Sequence, residues 1–212
     1  MSLQWNLADL FEATADAVAD RTALICGDRR FTYRELDERA TRLANHLAAN
    51  GIGRGDHVGL YLYNGPEYVE GTFAAYKLGA VPINVNYRYV EGELAYLFDN
   101  ADLKALIHGR EFIDRIAHVA PDAPKLTVFV SVEDGTDPDP ATIGATEYEA
   151  ALAAASSERA FAPRSEEDLY ILYTGGTTGM PKGVMWHQRD FFLSTLGPLL
   201  AMGGPMPGTP EG

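Results

Sequence analysis

Cysteine is scarce in this 212-residue chain, and this shortage limits the kinds of site that the chain can form. Cys26 is the only cysteine, so neither an internal disulfide nor a cysteine-rich metal site is possible. We expect Cys26 to be a small buried hydrophobic residue. Acidic residues outnumber lysine and arginine by 30 to 17, for a formal net charge of −13. Because duplex nucleic acid requires the opposite balance, we expect no nucleic-acid partner.

The sequence also lacks a long hydrophobic run. Its longest apolar stretch, residues 191–202, is too short to span a bilayer and contains Gly197-Pro198. The first 20 residues are acidic and amphipathic, without the basic start and apolar centre of a secretory signal. We therefore expect a cytoplasmic protein with no membrane span. The hydrophobic content of 46% is still enough for a sizeable core.

Short apolar strands alternate with amphipathic helices over much of the chain. This alternation predicts an α/β fold with a largely parallel sheet and helices on both faces. Where strand, helix and strand follow one another, we expect a right-handed crossover. The predicted strands are 56–63, 81–85, 104–108 and 126–130, and the predicted helices are 66–78, 90–100, 111–119, 146–155 and 190–202.

The amino-terminal part carries clear helix-start signals. Asn6 is the predicted cap of a first helix. Thr32 and Glu35 have the spacing of a capping box, at the start of a second helix that ends at Asn50-Gly51. A short hairpin turned at Gly27-Asp28 is expected between the two helices.

Two polar segments interrupt the pattern, at residues 133–145 and 156–167. Their content of Asp, Glu, Ser, Gly and Pro is typical of solvated loops. We interpret both as connections within one fold, because no internal repeat or domain linker accompanies them.

The most unusual stretch is Tyr173-Thr174-Gly175-Gly176-Thr177-Thr178-Gly179-Met180-Pro181-Lys182-Gly183. Its four glycines and three threonines disfavour the interior of a helix or strand. Predicted strands at 168–173 and 183–186 flank it, and it is longer than a plain hairpin turn requires. We therefore predict a binding loop, in which backbone N–H groups, hydroxyls and the Lys182 charge surround phosphate oxygens. No acidic residue occurs from Leu169 to Arg189, which suits a polyphosphate.

The common phosphate loop G-x-x-x-x-G-K-[ST] does not fit, because Pro181 precedes Lys182 and Gly183 follows it. The stretch resembles the signature loop of the adenylate-forming enzymes, [YF]-T-S-G-[ST]-T-G-x-P-K-G, with Gly175 in place of the usual serine. Two upstream segments resemble further core patterns of that family: Phe31-Thr32-Tyr33-Arg34-Glu35-Leu36, and residues 75–84 around Lys77-Leu78-Gly79-Ala80.

The resemblance implies the first part of the large N-terminal domain of an AMP-forming acyl-CoA synthetase, of the fatty-acid–CoA ligase type. In such enzymes ATP and a carboxylic acid give an acyl-adenylate and pyrophosphate, and the thiol of coenzyme A then displaces AMP. Mg²⁺ is implied on the phosphates, with no metal ligand from the protein. Lys182 is implied to stabilise the pyrophosphate. The implied ATP-phosphate ligands are Thr174, Gly175, Gly176, Thr177, Thr178, Gly179 and Lys182.

Residues near the core patterns leave several roles open. Asn86-Tyr87-Arg88 resembles an N-x-R turn of acyl-CoA synthetases, and Arg88 is either a ligand or a capping or surface-pairing arginine. Gln188 stands where the family pattern V-x-x-T-H-x-N has its histidine, one position after His187. We predict that His187 is a hydrogen-bonded packing residue and that Trp186 belongs to the core.

Several motifs of the family have no counterpart in this chain: the downstream Y-G-x-T-E motif, the ribose-binding aspartate and the catalytic lysine of the small C-terminal domain. We therefore interpret residues 1–212 as the N-terminal portion of a truncated adenylation domain, and expect no turnover from this portion alone. Apolar faces left open by the missing layers are expected to favour self-association. Two alternatives stay open: a non-catalytic nucleotide-binding homologue, and an aryl- or amino-acid-adenylating enzyme.

Overall fold

A computed structural model describes residues 5–176 and 179–201 of the chain. Single 3₁₀ turns lie at Arg110–Phe112, Ala120–Asp122 and Pro140–Ile143. The helices and strands, in chain order, are α1 (Leu7–Ala17), β1 (Thr22–Cys26), β2 (Arg29–Thr32), α2 (Tyr33–Ala49), β3 (His57–Tyr61), α3 (Pro66–Lys77), β4 (Val81–Asn84), α4 (Glu91–Asn100), β5 (Leu103–Gly109), α5 (Ile113–Val119), β6 (Val128–Val132), β7 (Thr146–Glu147), α6 (Tyr148–Ala154), β8 (Leu169–Gly176), β9 (Gly179–His187) and α7 (Gln188–Ala201).

Strands β3 to β7 form one sheet in the order β4-β3-β5-β6-β7, in which every neighbouring pair is parallel. Helices α2, α3 and α6 pack on one face of this five-stranded sheet, and α4 and α5 pack on the other. Both faces are therefore apolar, as expected for a buried parallel sheet. The predicted α/β fold, with a largely parallel sheet and helices on both faces, is confirmed.

The predicted helix caps are present. Asn6 Oδ1 accepts a hydrogen bond from Ala8 N at 3.0 Å at the start of α1. Thr32 and Glu35 form the reciprocal capping box of α2. Gly79 has a φ of +66° just after α3, a conformation that glycine adopts without a steric cost. Local sequence signals thus fix the ends of these helices.

Helix α3 lies unusually close to the sheet at Gly71. A Cβ atom at that position would be 2.8 Å from Leu60 Cδ2 and 3.1 Å from Ile107 Cδ1. The absence of a side chain therefore allows the helix to rest directly on the central strands β3 and β5.

A largely buried group of five charged residues, the charge cluster, joins α1, α2 and α3 to residues 155–168, which form neither helix nor strand. The Nζ atom of Lys77 lies 2.5 Å from a Glu12 oxygen and 2.7 Å from an Asp37 oxygen. The second oxygens of these two carboxylates accept hydrogen bonds from two arginines of the connecting segment. Each buried charge therefore has an opposite partner. The cluster consists of Glu12, Asp37, Lys77, Arg159 and Arg164.

A few element boundaries differ from the predicted ones. The strand predicted at 126–130 is shifted to Val128–Val132, and the helix predicted from Asp190 begins at Gln188. The helix predicted at 146–155 is preceded by β7, a two-residue edge strand that pairs with Val130 and Ser131. Two residues are too few to show an alternating apolar pattern, so the sequence did not predict β7. This strand is defined only by its pairing with β6.

Strands β1 and β2 form a separate two-stranded antiparallel sheet. Cys26 at the end of β1 is only half-buried, so the expectation of a buried cysteine is wrong. A two-stranded ribbon offers less cover than the main sheet, and the neighbouring Ile25 is accordingly 55% exposed.

Candidate functional site

The glycine-rich stretch forms the end of an antiparallel hairpin made by β8 and β9, called the glycine hairpin below. The strands pair from Leu169 opposite His187 to Gly176 opposite Gly179. The prediction of a long loop between separate strands is therefore wrong. Pairing extends into the glycines because ladder hydrogen bonds are made by the backbone and need no side chain. Thr177 and Thr178 at the tip lie outside the described residues.

The register brings together two of the predicted phosphate ligands. Thr174 lies directly opposite Lys182, and opposite residues of an antiparallel pair present their side chains to the same face. Both residues are exposed. A register irregularity follows between Thr174 and Gly176, and such irregularities leave backbone groups outside the ladder. A hydroxyl, an ammonium group and free backbone positions are thus gathered at one end of the hairpin.

The surroundings of Gly175 and Gly179 are open. A Cβ atom at either position would have no heavy atom within 4 Å, and neither residue has a left-handed φ. A ligand can therefore approach the backbone closely at these two glycines. The position of Gly175, where the related loops have serine, also has room for a side chain.

The charge of Lys182 is uncompensated in the part of the chain that the structure describes, where Lys182 forms no ion pair. The carboxylates of Glu166 and Glu167 lie at the opposite end of the hairpin. There Arg189 Nη1 is 3.2 Å from Glu166 and His187 Nδ1 is 3.5 Å from Glu167. The end that carries Lys182 is therefore electropositive and suited to an anion.

The ring of Tyr173 explains why Gly183 stands opposite it. A Cβ atom at Gly183 would lie 2.8 Å from Tyr173 Cε2 and 3.1 Å from Ile171 Cγ2. The ring thus rests on the backbone of β9. The hydroxyl of Tyr173 donates a hydrogen bond to Asn100 Oδ1 at 3.0 Å, and burial raises the pKa of this hydroxyl. The first and last residues of the motif therefore shape the hairpin instead of facing a ligand.

Asn84, the last residue of β4, connects the glycine hairpin to the five-stranded sheet. Its Nδ2 donates to Tyr173 O at 2.9 Å, and its Oδ1 accepts from Tyr173 N at 2.8 Å. Sequence reasoning placed Asn84 in a strand and missed this contact. The only signal was a polar residue of low strand propensity at the end of an apolar strand.

The open end of the hairpin is held by the start of α1. Asn6 Nδ2 donates to Asp168 Oδ2 at 3.2 Å, and Leu7 N donates to Gln188 Oε1 at 2.8 Å. Arg54 Nη1 donates to Asp168 Oδ1 at 2.8 Å. Burial raises the pKa of Asp168, against the opposing effects of its hydrogen-bond donors and of the Arg54 charge. Gln188, which stands where the family pattern has histidine, is fully buried and accepts the hydrogen bond from Leu7 N. Its role in this chain is therefore structural.

The remaining residues singled out from the sequence lie on the surface. Arg88 is exposed with its guanidinium carbon 5.2 Å from the Tyr87 ring centre, and it forms no ion pair within residues 5–176 and 179–201. His187 is hydrogen-bonded to Glu167 O at 3.0 Å but exposed, so only half of its predicted role is present. Trp186 is 42% exposed, and its assignment to the core is wrong. It lies on the face of the hairpin, called the outer face, that also carries the exposed Leu172 and Val184.

Neither a metal site nor a membrane span is found in the described residues. No group of three or more His, Cys, Asp and Glu side chains there is placed to hold a metal ion. No described helix is both long and apolar enough to cross a bilayer.

Comparison with known proteins extends the resemblance to nearly the whole chain. The sequence pattern of the family described as AMP-binding enzyme matches residues 11–200. A medium/long-chain-fatty-acid–CoA/3-oxocholest-4-en-26-oate–CoA ligase of Mycobacterium marinum is 52% identical over 93% of this chain and 36% of its own length. A 3-oxocholest-4-en-26-oate–CoA ligase of Rhodococcus rhodochrous is 54% identical over 87% of this chain and 33% of its own length.

The fold has close counterparts among solved structures. The anthranilate CoA ligase AuaEII, solved in complex with anthranoyl-AMP, superimposes with a TM-score of 0.82 at 27% identity. The match covers 92% of this chain and 37% of that protein. The chain therefore spans about a third of the length of the curated relatives and of this solved structure.

Proposed function

We propose, from the premise that this chain belongs to the family of AMP-binding enzymes, that its glycine hairpin holds the phosphates of ATP during formation of an acyl-adenylate. The observation that carries the proposal is the pairing of exposed Thr174 with exposed, uncompensated Lys182 in a stretch without acidic residues. A cation on a hairpin beside open backbone is a suitable phosphate site.

The reaction is the activation of a carboxylic acid in two steps by the full-length protein. The carboxylate oxygen attacks the α-phosphorus of ATP, forming a P–O bond as pyrophosphate leaves. The thiol of coenzyme A then forms a thioester and releases AMP, with loss of the thiol proton. The protein's task in the first step is to hold two anionic reactants together and to stabilise the departing pyrophosphate.

Each part of the hairpin has a distinct role in this proposal. Lys182 places its charge beside the pyrophosphate, and the threonine hydroxyls, including those of Thr177 and Thr178, donate to phosphate oxygens. The backbone N–H groups of Gly175, Gly176 and Gly179 complete the cradle. Mg²⁺ enters with the nucleotide and is held mainly by its phosphates.

The acid substrate carries a large apolar group. The relatives that support this assignment are named as ligases of medium- and long-chain fatty acids and of 3-oxocholest-4-en-26-oate. Both are carboxylic acids with extended hydrocarbon parts, and the present chain is about half identical to those enzymes. A fatty or steroid carboxylate is therefore the preferred substrate class over an aryl or amino acid.

The 212 residues are the N-terminal portion of the adenylation domain and are inactive alone. They correspond to 36% of the Mycobacterium marinum relative, so most of the groups around the reacting atoms come from the rest of the protein. The isolated chain self-associates through the outer face of the glycine hairpin, where Leu172, Val184 and Trp186 are 39–45% exposed. A monodisperse monomer in light scattering would contradict this self-association.

The test is ATP–pyrophosphate exchange by the full-length protein with a panel of fatty, steroid, aryl and amino acids. We expect exchange with fatty or steroid acids, and a decrease of about 10²-fold in Lys182→Ala, the size typical for loss of one transition-state donor. The matched control is Lys125→Ala, which removes an exposed lysine paired with Asp102 on another part of the surface.

The outcomes separate the candidate functions. Exchange that is equal in Lys182→Ala and Lys125→Ala would refute the assigned role of Lys182. Binding of ATP without exchange for any acid would favour a non-catalytic nucleotide-binding protein. Exchange restricted to aryl or amino acids would overturn the substrate class while retaining the adenylation chemistry.

A further inference from the structure

The glycine hairpin packs on the five-stranded sheet through buried Ile171 and Tyr173, and one sheet side chain, Asn84, adds hydrogen bonds to it. Asn84 makes two hydrogen bonds to the backbone of Tyr173, of 2.9 Å to the carbonyl and 2.8 Å from the N–H. Within residues 5–176 and 179–201, these are the only hydrogen bonds between that sheet and the hairpin. Strand β8 is therefore docked against β4 without joining its ladder.

The chemistry of asparagine matches this position closely. A carboxamide has the donor and acceptor of a peptide group in one plane, so it can bond both main-chain groups of a single residue. Aspartate has no donor for the carbonyl, and leucine, of similar size, has neither group. At the end of β4, the Asn84 side chain thus makes the two hydrogen bonds to Tyr173 that the backbone of a neighbouring strand would otherwise make.

The residue that Asn84 holds is directly connected to the proposed phosphate ligands. Tyr173 precedes Thr174 in the chain and lies opposite Gly183, the neighbour of Lys182. The Tyr173 ring rests against Gly183, and its hydroxyl donates to Asn100 in α4. A displacement of the Tyr173 backbone would therefore move both the threonine and the lysine relative to the main sheet.

We infer that Asn84 is a positioning residue for nucleotide activation, acting through the backbone of Tyr173 and without touching the nucleotide itself. This inference rests on the proposed function of the glycine hairpin. Its effect is on geometry: small displacements of catalytic groups reduce rates by large factors. The role is therefore distinct from that of Lys182, which contacts the phosphates.

The test compares Asn84→Leu and Asn84→Asp with wild type in the full-length protein. We expect Asn84→Leu to lower ATP–pyrophosphate exchange about tenfold, mainly through a lower kcat, because the phosphate groups are bound but misplaced. Asn45→Leu is the matched control, since Asn45 also bridges two backbone carbonyls, those of Ser156 and Glu158, away from the hairpin.

Hydrogen exchange of peptides that contain Tyr173 provides a second readout, independent of activity. We expect faster deuterium uptake in Asn84→Leu, where the Tyr173 N–H loses its acceptor, and near wild-type uptake in Asn84→Asp, which keeps an acceptor oxygen. Thermal melting of each variant checks that the protein is folded. If Asn84→Leu unfolds, Asn84→Asp alone decides through its rate of ATP–pyrophosphate exchange, which we expect to be lowered because this variant lacks the donor to Tyr173 O. A rate of ATP–pyrophosphate exchange equal to that of wild type would overturn the inference.

The inference and the proposed function fail in different ways. Wild-type protein that exchanges pyrophosphate with no acid refutes the proposed function, and the positioning role in nucleotide activation fails with it. An active wild type with Asn84→Leu activity and Tyr173 protection equal to those of Asn45→Leu overturns the positioning role alone. A loss of ATP–pyrophosphate exchange in Asn84→Leu with unchanged deuterium uptake at Tyr173 also overturns the positioning role. The loss of activity would then not arise from a change at the Tyr173 backbone.

Discussion

Two lysines of this chain, Lys77 and Lys182, differ in burial and in charge pairing. In the charge cluster, the side chain of Lys77 is fully buried, with Nζ 2.5 Å from Glu12 and 2.7 Å from Asp37. On the glycine hairpin, Lys182 is exposed and forms no ion pair with the described residues. The hairpin sequence also supplies no acidic residue from Leu169 to Arg189.

The difference indicates which charge belongs to the fold and which is available to a ligand. A buried charge without a partner costs several kcal/mol, so Lys77 on α3 must be paired by Glu12 of α1 and Asp37 of α2. An exposed charge is stabilised by water, and the fold does not need to pair it. Removal of Lys77 should therefore affect stability, and removal of Lys182 should affect function.

The largest effect is expected from Lys77→Met in the 212-residue chain. This change keeps the buried stem but leaves the carboxylates of Glu12 and Asp37 without their shared cation. We expect a loss of about 3–5 kcal/mol in the free energy of unfolding, measured by urea denaturation followed by circular dichroism. The control is Lys125→Met, which breaks an exposed pair worth about 0–1 kcal/mol. Equal losses in the two variants would show that the cluster does not stabilise the fold.

Acid should weaken the charge cluster as well. Burial acts to raise the pKa of Glu12, but the hydrogen bonds and charges of Arg164 and Lys77 outweigh it and lower that pKa below the usual 4.5. Because the folded-state pKa is the lower one, Glu12 contributes stability above the unfolded pKa, and this contribution is lost as the pH falls through the folded value. We expect the urea midpoint to fall more steeply between about pH 5 and pH 3 in wild type than in Glu12→Gln. Parallel curves would rule out this linkage.

A smaller effect is expected within the hairpin from Gly183→Ala. The new methyl group would lie 2.8 Å from the Tyr173 ring, which must then shift. Overpacking of this kind costs about 1–3 kcal/mol, again measurable by urea denaturation. Gly175→Ala is the matched control, because a Cβ there meets no atom within 4 Å. A cost for Gly175→Ala as large as that for Gly183→Ala would mean that the Tyr173 contact is not the cause.

The smallest change in stability is expected from Lys182→Met, the counterpart of Lys77→Met. An exposed lysine without an ion pair should change the free energy of unfolding by no more than about 0.5 kcal/mol. In the full-length protein the same variant should bind MgATP more weakly, as measured by titration calorimetry at fixed salt. A large stability loss with unchanged MgATP binding would reverse the contrast between the two lysines.

The main features of the fold could be predicted from local patterns. Apolar periodicity located the four longer strands of the main sheet and its flanking helices, and the caps at Asn6 and Thr32 fixed helix starts. These signals are local because caps and periodic faces involve residues within a few positions of one another. Strand β7 was missed because a two-residue strand depends wholly on its partner, β6.

The candidate site was predictable in its chemistry and less so in its shape. Residue type and order identified the phosphate-binding stretch, since glycines, hydroxyls and a lysine are chemically suited to phosphate. The hairpin pairing of Thr174 with Lys182 was missed, because a high glycine content conceals a strand whose ladder is made by the backbone. The exposure of Trp186 was missed for a related reason: burial depends on what covers a strand, which its own sequence does not specify.

By itself, the sequence determined the α/β fold class, the helix caps, the family resemblance and the phosphate-binding stretch. Only the tertiary structure decided that Lys77 is neutralised by Asp37, 40 positions away, and that Asn84 holds Tyr173, 89 positions away. The physical reason is the range of the contacts. Caps and motifs act between near neighbours, whereas buried charge pairs and side-chain bridges exist only after the sheet has brought distant residues together.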